Sequence, residues 1–136
     1  MTQELCDKLN AGFEGTMNQK LGIRFLPSED GCILGEMPIN ENTRQYFGIL
    51  HGGASLAFAE TLAGCGSLCL IDFDKSKKVC GLQVTGNHVG MSAHEGKVYG
   101  KATIVHAGKK THVWNVDITG EDGRLISTER VTNMIV

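Results

Sequence analysis

The sequence predicts an α+β domain in which one antiparallel sheet of about six strands wraps one long central helix. Three observations support this: an unbroken helical stretch runs from His51 to about Leu70, six strand candidates flank it, and short glycine-containing turns join several of them. Strands joined by tight turns pair antiparallel, and one face of such a sheet needs a covering element. A chain of 136 residues is the usual size of one domain, so we expect a single domain over residues 1–136.

The elements are predicted from turn residues and from the spacing of apolar side chains. In chain order they are a short helix at 2–9, strands at 21–26 and 31–39, a loop at 40–50, the long helix, and strands at 78–88, 96–106, 110–119 and 124–136. In the fifth strand Trp114, Val116 and Ile118 alternate with polar residues, which predicts one buried face. Hairpin turns at 107–109 and 121–123 lead us to expect the last four strands to form a consecutive meander.

The long helix is predicted to be the buried centre of the fold. It is apolar on nearly all sides and rich in small residues, which are Gly53, Ala54, Ala57, Ala59, Ala63, Gly64 and Gly66. Its only ionisable acid is Glu60, and burying a carboxylate among apolar neighbours is costly unless it is paired, hydrogen-bonded or hydrated. Glu60 is therefore either a surface residue or a partly desolvated base or nucleophile.

Composition and charge exclude several classes of function. The formal net charge of −2 argues against nucleic acid or an anionic membrane as the main partner. The longest apolar stretch, residues 54–71, contains Glu60, and the N-terminus lacks a basic start followed by an apolar run, so neither a membrane span nor a signal peptide is expected. Five cysteines without CxxC or CxxH spacing indicate reduced thiols, no metal site and a cytoplasmic protein.

The start of the long helix is the second candidate for chemistry. His51, Gly52 and Gly53 place free backbone N–H groups at a helix N-terminus, where developing negative charge is stabilised. This is either an oxyanion hole or simply a glycine-rich helix start. Gly52 and Glu60 lie about 12 Å apart along one helix, too far to act on one carbonyl. A site that uses both needs two chains with antiparallel helices, as in a two-fold dimer.

Residues 45–60 read QYFGILHGGASLAFAE, and this run resembles the signature of hot-dog-fold acyl-CoA thioesterases. The most similar branch contains phenylacetate-pathway, enterobactin-proofreading and 1,4-dihydroxy-2-naphthoyl-CoA thioesterases. Further resembling segments are 81–89, 95–100, 106–109, 113–119 and 133–136, so the likeness runs from about residue 21 onward.

The resemblance implies specific roles. Glu60 would be the catalytic nucleophile or base, and the Gly52 N–H would polarise the thioester carbonyl across a subunit interface. Gln45 and His51 would line the same pocket. The implied substrate and CoA contacts are Gly53, Asn87, His88, His106, Gly108, Lys109 and Lys110. Two positions depart from the family pattern: Gly64 stands where many relatives have Ser or Thr, and Gly90 where some have Arg.

The resulting hypothesis is hydrolysis of an aromatic or medium-chain acyl-CoA. It involves no metal or other cofactor, since coenzyme A is part of the substrate. The expected assembly is a dimer or a dimer of dimers. Two alternatives stay open: an acyl-thioester hydratase or dehydratase, and a non-catalytic acyl-CoA-binding module.

Overall fold

The computed structural model describes residues 1–136 and contains three helices and six strands. Their bounds are α1 Gln3–Ala11, α2 Met17–Leu21, β1 Arg24–Leu26, β2 Cys32–Pro38, α3 Gly52–Leu70, β3 Val79–His88, β4 Lys97–Ala107, β5 Thr111–Gly120 and β6 Leu125–Ile135. All six strands join one antiparallel sheet in the order β1-β2-β4-β5-β6-β3. Helix α3 contacts β2, β3, β4, β5 and β6, which confirms the predicted α+β class.

The predicted strand at 21–26 is too long, because the chain before it is helical. The Thr16 side chain caps α2 by accepting a hydrogen bond from the Gln19 N–H, and α2 ends at Leu21. Gly22 then adopts a left-handed conformation with φ of 71°, which a glycine tolerates without a steric penalty. The strand β1 therefore begins only at Arg24.

The expected meander of four strands is wrong for its first member. Strands β4, β5 and β6 are consecutive neighbours, but β3 pairs with β6 at the far edge, and β4 pairs with β2. The segment between β3 and β4 contains no tight hairpin turn and carries the chain from one edge of the sheet to its middle. One edge of β3 is therefore unpaired in the protomer.

The sheet approaches α3 closely where two glycines face it. Gly35 of β2 and Gly100 of β4 are paired in register beneath the helix. A Cβ at Gly35 would lie 2.7 Å from Leu62 Cδ2, and one at Gly100 would lie 2.9 Å from Phe58 Cε1. Phe58 and Leu62 are fully buried, so the missing side chains on the sheet make room for the largest side chains of the helix.

Helix α3 is the central helix of the fold, and within the protomer it has one buried side and one exposed side. Phe58, Ala59, Leu62 and Ala63 face the core, whereas Glu60 on the opposite side is exposed. By length and composition α3 could also cross a membrane, but half of that stretch is buried in the protein, as in the core helix of a globular fold. Its exposed side lies next to β3, most of whose residues are also exposed.

Candidate active site

A cleft of about 360 Å³ lies at the N-terminal end of α3. Three residues implicated by the sequence meet there: Gln45 from the loop before the helix, Gly52 from the first turn and His88 from the end of β3. The rest of the wall is formed by Ile49, Leu50, Ser55, Val89, Gly90, Met91, Ser92 and Ile126. The cleft thus combines five apolar side chains with the polar groups of Gln45, Ser55, His88 and Ser92.

The first turn of α3 leaves one backbone donor unused. His51 is the N-cap residue, and its Nδ1 accepts a hydrogen bond of 2.8 Å from the Gly53 N–H. The Gly53 N–H is therefore occupied, whereas the Gly52 N–H has no hydrogen-bond acceptor within the chain. Of the two glycines named at the helix start, only Gly52 offers a free N–H donor, and it also lines the cleft.

The ring of His88 packs directly on Gly52. A Cβ at position 52 would lie within 2.7 Å of His88 Cδ2 and closer still to Nε2, so no larger residue fits without moving the ring. His88 Nε2 and the Gly52 backbone consequently face the same small volume. The absence of a side chain at Gly52 is what allows an imidazole nitrogen and a helix N-terminus to converge.

The loop that delivers the chain to α3 is held by its own hydrogen bonds. The Gln45 N–H donates to the Ile49 carbonyl at 2.8 Å, and the Gln45 side-chain oxygen accepts from the Phe47 N–H. Tyr46 and Phe47 at the loop tip form an edge-on aromatic pair with ring centroids 5.3 Å apart. They are 95% and 76% exposed in the protomer, which leaves a large apolar surface uncovered beside the cleft.

Behind His88 the structure reveals two residues that the sequence analysis missed. His88 Nδ1 lies 2.8 Å from Ser127 Oγ, and Ser127 Oγ is hydrogen-bonded to Glu129 Oε1. Ser127 and Glu129 are 0% and 2% exposed. The signal in the sequence is their alternation with Val131 and Ile135 on β6, which places two polar side chains at core-facing positions.

Glu60 does not reach Gly52 within one chain. It lies two turns further along α3, about 12 Å away by helix geometry, and its side chain rests against the backbone of Gly81 on β3. It makes no hydrogen bond or ion pair within the chain and is exposed. Of the two interpretations left open by the sequence, the isolated protomer shows Glu60 as a surface residue.

The remaining predicted contacts lie elsewhere. Asn87 is exposed and does not line the cleft, because it neighbours His88 on a strand and faces the other side of the sheet. The other predicted contacts cluster at the β4–β5 hairpin, against the C-terminal end of α3, and they are His106, Gly108, Lys109 and Lys110. No group of metal-ligating side chains is present in residues 1–136.

Comparisons with known proteins identify the family of the chain. Residues 47–127 match the family model of the thioesterase superfamily. The chain is 40% identical over 131 residues to the 1,4-dihydroxy-2-naphthoyl-CoA hydrolase of Escherichia coli, a match covering 96% of this chain and 93% of that protein.

Solved structures are similar over nearly the whole chain. A thioesterase of Pseudomonas aeruginosa, crystallised with a glutamine replaced by alanine, has a TM-score of 0.91 and 35% identity, covering 96% of this chain and 93% of that one. A thioesterase of Staphylococcus aureus, crystallised with a glutamine replaced by alanine and separately with a glutamate replaced by alanine, has TM-scores of 0.81 and 0.82 at 36% identity. That match covers 88% of this chain and 97% or 98% of the other. The chain therefore belongs to the thioesterase superfamily, has the hot-dog fold and is a thioester hydrolase.

Proposed function

We propose that the protein hydrolyses an acyl-CoA thioester in a site built by two chains, with the carbonyl bound at Gly52 of one subunit and attacked with the help of Glu60 of the other. The observation that carries this proposal is the free Gly52 N–H at the wall of a cleft that contains no carboxylate of its own. An acid is needed there, and the exposed Glu60 of a second copy is the candidate that the fold offers.

The exposed surface of the protomer supports pairing of two copies. Strand β3 is ten residues long and forms an unpaired sheet edge, which in soluble proteins is normally covered or paired. Leu82 on this strand and Val89 and Met91 just after it are 56%, 60% and 68% exposed. Antiparallel pairing of two β3 edges would extend the sheet across a two-fold axis and cover this apolar surface.

The same pairing would bring the helices together. Ala57, Glu60 and Gly64 lie on the exposed side of α3, and a Cβ at Gly64 would meet nothing within 4 Å. Small residues on this side allow two antiparallel helices to approach. The first turn of one α3 then lies beside the middle of the other, which removes the 12 Å separation between Gly52 and Glu60.

In the proposed mechanism the thioester oxygen accepts a hydrogen bond from the Gly52 N–H at the positive end of the α3 dipole. As the tetrahedral intermediate forms, charge accumulates on this oxygen and the interaction strengthens. Glu60 of the partner subunit either attacks the carbonyl carbon or takes a proton from an attacking water. If Glu60 attacks, breakage of the C–S bond leaves a mixed anhydride on Glu60, which water then hydrolyses to the free acid. If Glu60 activates water, breakage of the C–S bond gives the free acid directly. In both cases the leaving thiolate takes up a proton, from the Glu60 carboxyl or from solvent, and becomes the thiol of coenzyme A. The reaction uses no metal or further cofactor.

Relatives support the choice of residues. In the thioesterase from Staphylococcus aureus the two replaced positions, a glutamine and a glutamate, are 15 residues apart, which is the spacing between Gln45 and Glu60. The name of the Escherichia coli relative specifies an aromatic acyl-CoA. We therefore propose an aromatic or medium-chain acyl group, bound against the apolar wall of the cleft and the exposed Tyr46 and Phe47.

The nucleotide end of the substrate is assigned to the β4–β5 hairpin. Lys109 and Lys110 are exposed there, and the hairpin contacts the last turn of α3, about 15 Å along the helix from Glu60. If the two α3 helices pack antiparallel, the hairpin of one subunit lies on the same side of its Glu60 as the opening of the partner's cleft. An extended pantetheine arm could then run from the cleft to the lysines, which bind phosphate as point charges.

The two-chain site is tested by complementation. Glu60→Ala and Gln45→Ala are purified separately, each with little turnover of a benzoyl-CoA or octanoyl-CoA substrate in a free-thiol release assay. When equal amounts are unfolded and refolded together, each mixed dimer regains one complete site, so about a quarter of wild-type activity should return. Glu14→Gln, an exposed carboxylate far from the cleft, is the control and should keep full activity. No recovery on mixing, or full activity of Glu60→Ala alone, contradicts the proposal.

The same assay separates the alternatives. A hydratase would consume an enoyl-CoA without releasing thiol, and a binding module would retain acyl-CoA in equilibrium dialysis without turnover. Release of free thiol that depends on Glu60 excludes both for the substrate tested.

A further inference from the structure

A hydrogen-bonded chain leads from the cleft into the core of the protein. It begins at His88, whose Nε2 faces Gly52, passes through Ser127 Oγ at 2.8 Å from His88 Nδ1, and ends at the Glu129 carboxyl. Ser127 is paired with His88 in the register of β3 and β6, so the sheet itself holds this contact. The second oxygen of Glu129, Oε2, is buried and has no hydrogen-bond partner.

The fold makes room for the Glu129 side chain. On β3, Gly86 is its register partner, and a Cβ at position 86 would lie 2.9 Å from Glu129 Cγ. The same Cβ would lie 2.9 Å from Leu56 Cδ2, so the carboxyl-bearing chain lies near an apolar side chain of α3. A carboxyl so placed, with one oxygen unpartnered, is costly to hold and is not explained by packing alone.

We infer that Glu129 and Ser127 are positioning residues that determine which ring nitrogen of His88 carries the proton, and thereby whether His88 offers a donor or an acceptor to the cleft. The link to catalysis rests on the proposed function, since it places the thioester carbonyl at Gly52. The link between Glu129 and the His88 ring does not.

The chain permits two arrangements of protons. When Glu129 is protonated, its Oε1–H donates to Ser127 Oγ, the Ser127 hydroxyl donates to His88 Nδ1, and the ring carries its proton on Nε2. The Nε2–H and the Gly52 N–H are then two donors facing one volume. When Glu129 loses its proton to solvent, the Ser127 hydroxyl turns to donate to the carboxylate. His88 then exchanges its Nε2 proton with water and takes up one on Nδ1, which donates to Ser127 and leaves Nε2 as an acceptor.

The environment favours the protonated acid. Burial raises the pKa of the Glu129 carboxyl to about 7, the hydrogen bond from Ser127 opposes this, and the charge of Asp117 on β5 adds to the increase. On β3 the titratable group facing this chain is His88 itself. Helix α3 contributes the apolar Leu56, and its single charged residue, Glu60, is exposed. On β6 the adjacent Arg130 is exposed on the opposite face.

The inference is tested by ¹⁵N spectroscopy of the histidine-labelled protein between about pH 6 and pH 9. The signals of His88 are assigned by their loss in His88→Gln. In the wild type the neutral ring should change from the Nε2–H to the Nδ1–H tautomer as Glu129 ionises. In Glu129→Gln and in Ser127→Ala this pH-dependent change should be absent. Thr132→Val, which removes a hydroxyl from the opposite face of β6 and leaves the bond between Thr128 and Asp117 intact, is the matched control and should behave as the wild type.

Kinetics supply the second measurement. Turnover of the wild type should fall with increasing pH as His88 loses its donor, by about tenfold or more, since one oxyanion donor is worth on the order of 10²-fold in kcat. Glu129→Gln, whose amide can still donate to Ser127, should retain turnover and lose this pH dependence. Glu129→Leu removes the carboxylate that competes with His88 for the Ser127 hydroxyl, so it should also lose the pH dependence. A pH-dependent change of the His88 tautomer that persists in Glu129→Gln and Ser127→Ala, or its absence in the wild type, overturns the inference, even in an active enzyme. If the tautomer follows Glu129 but no acyl-CoA is hydrolysed, the inference stands and the proposed function fails.

Discussion

The buried Glu129 carboxyl should make the stability of the protein depend on pH in a specific direction. Its pKa is raised from 4.5 to about 7 by burial, so between these values the folded chain keeps a proton that the unfolded chain has lost. The contribution of Glu129 to the free energy of unfolding is therefore largest below about pH 4.5, and it decreases as the pH rises to about 7. At about 1.4 kcal/mol per pH unit, the loss by pH 8 amounts to roughly 2–3 kcal/mol, allowing for some water penetration.

Replacing Glu129 by glutamine keeps the shape and removes the ionisation. Near pH 5 the variant and the wild type should differ by less than about 1 kcal/mol in free energy of unfolding, and near pH 8 the variant should be more stable by roughly 2–3 kcal/mol. Urea unfolding at both pH values, at one fixed protein concentration because the chain is expected to associate, measures the difference. Glu14→Gln, at an exposed position, should show no such divergence. Parallel pH dependence of Glu129→Gln and the wild type would refute the reasoning.

Three further predictions concern packing, association and the nucleotide end of the substrate. Gly66→Ala would place a Cβ 2.6 Å from Trp114 Cζ2, so it should lower the free energy of unfolding by about 1–3 kcal/mol in urea unfolding. Unchanged stability would contradict this prediction. The added Cβ of Gly64→Ala would contact nothing, so this variant should keep both its stability and its dimerisation. Gly64→Trp should shift the dimer to monomer in light scattering. If Gly64→Trp remains a dimer, the two chains do not pair through this side of α3. Lys109→Ala should raise KM for an acyl-CoA by about two- to fivefold with little change in kcat. The KM for a short thioester that lacks phosphates should stay the same. An equal increase in KM for both substrates would show that Lys109 does not contact the nucleotide.

Local spacing was sufficient to predict most elements of the fold. The helix that begins after His51, the two hairpins flanking β5 and the buried face formed by Trp114, Val116 and Ile118 are all found where the pattern placed them. The place of β3 could not be predicted in this way, because pairing with β6 joins residues 39 to 56 positions apart and leaves no turn signal. The short helix before β1 was missed because five residues are too few to show a helical period.

The candidate site was predictable where its residues are close in sequence. Gln45, Gly52 and the resembling segment around them were identified from one run of sixteen residues, and the structure places both in one cleft with His88. The family resemblance implied both Asn87 and His88 as contacts, yet adjacent strand residues face opposite sides of a sheet, and only His88 lines the cleft. The proposed juxtaposition of Gly52 and Glu60 requires a second chain, so one protomer cannot display it.

Ser127 and Glu129 show how a site can be hidden by the same long-range pairing that creates it. On β6 the core-facing positions include Ser127, Glu129 and Asn133, and a polar residue at such a position needs a partner. For Asn133 the partners are the Ala63 carbonyl and Ser67 Oγ, so its role is structural. For Ser127 one partner is His88, which faces the cleft, and this contact exists only because β3 pairs with β6 rather than with β4. A polar pair at alternate inward positions of a strand is therefore a signal for a site, but its meaning depends on which strand lies beside it.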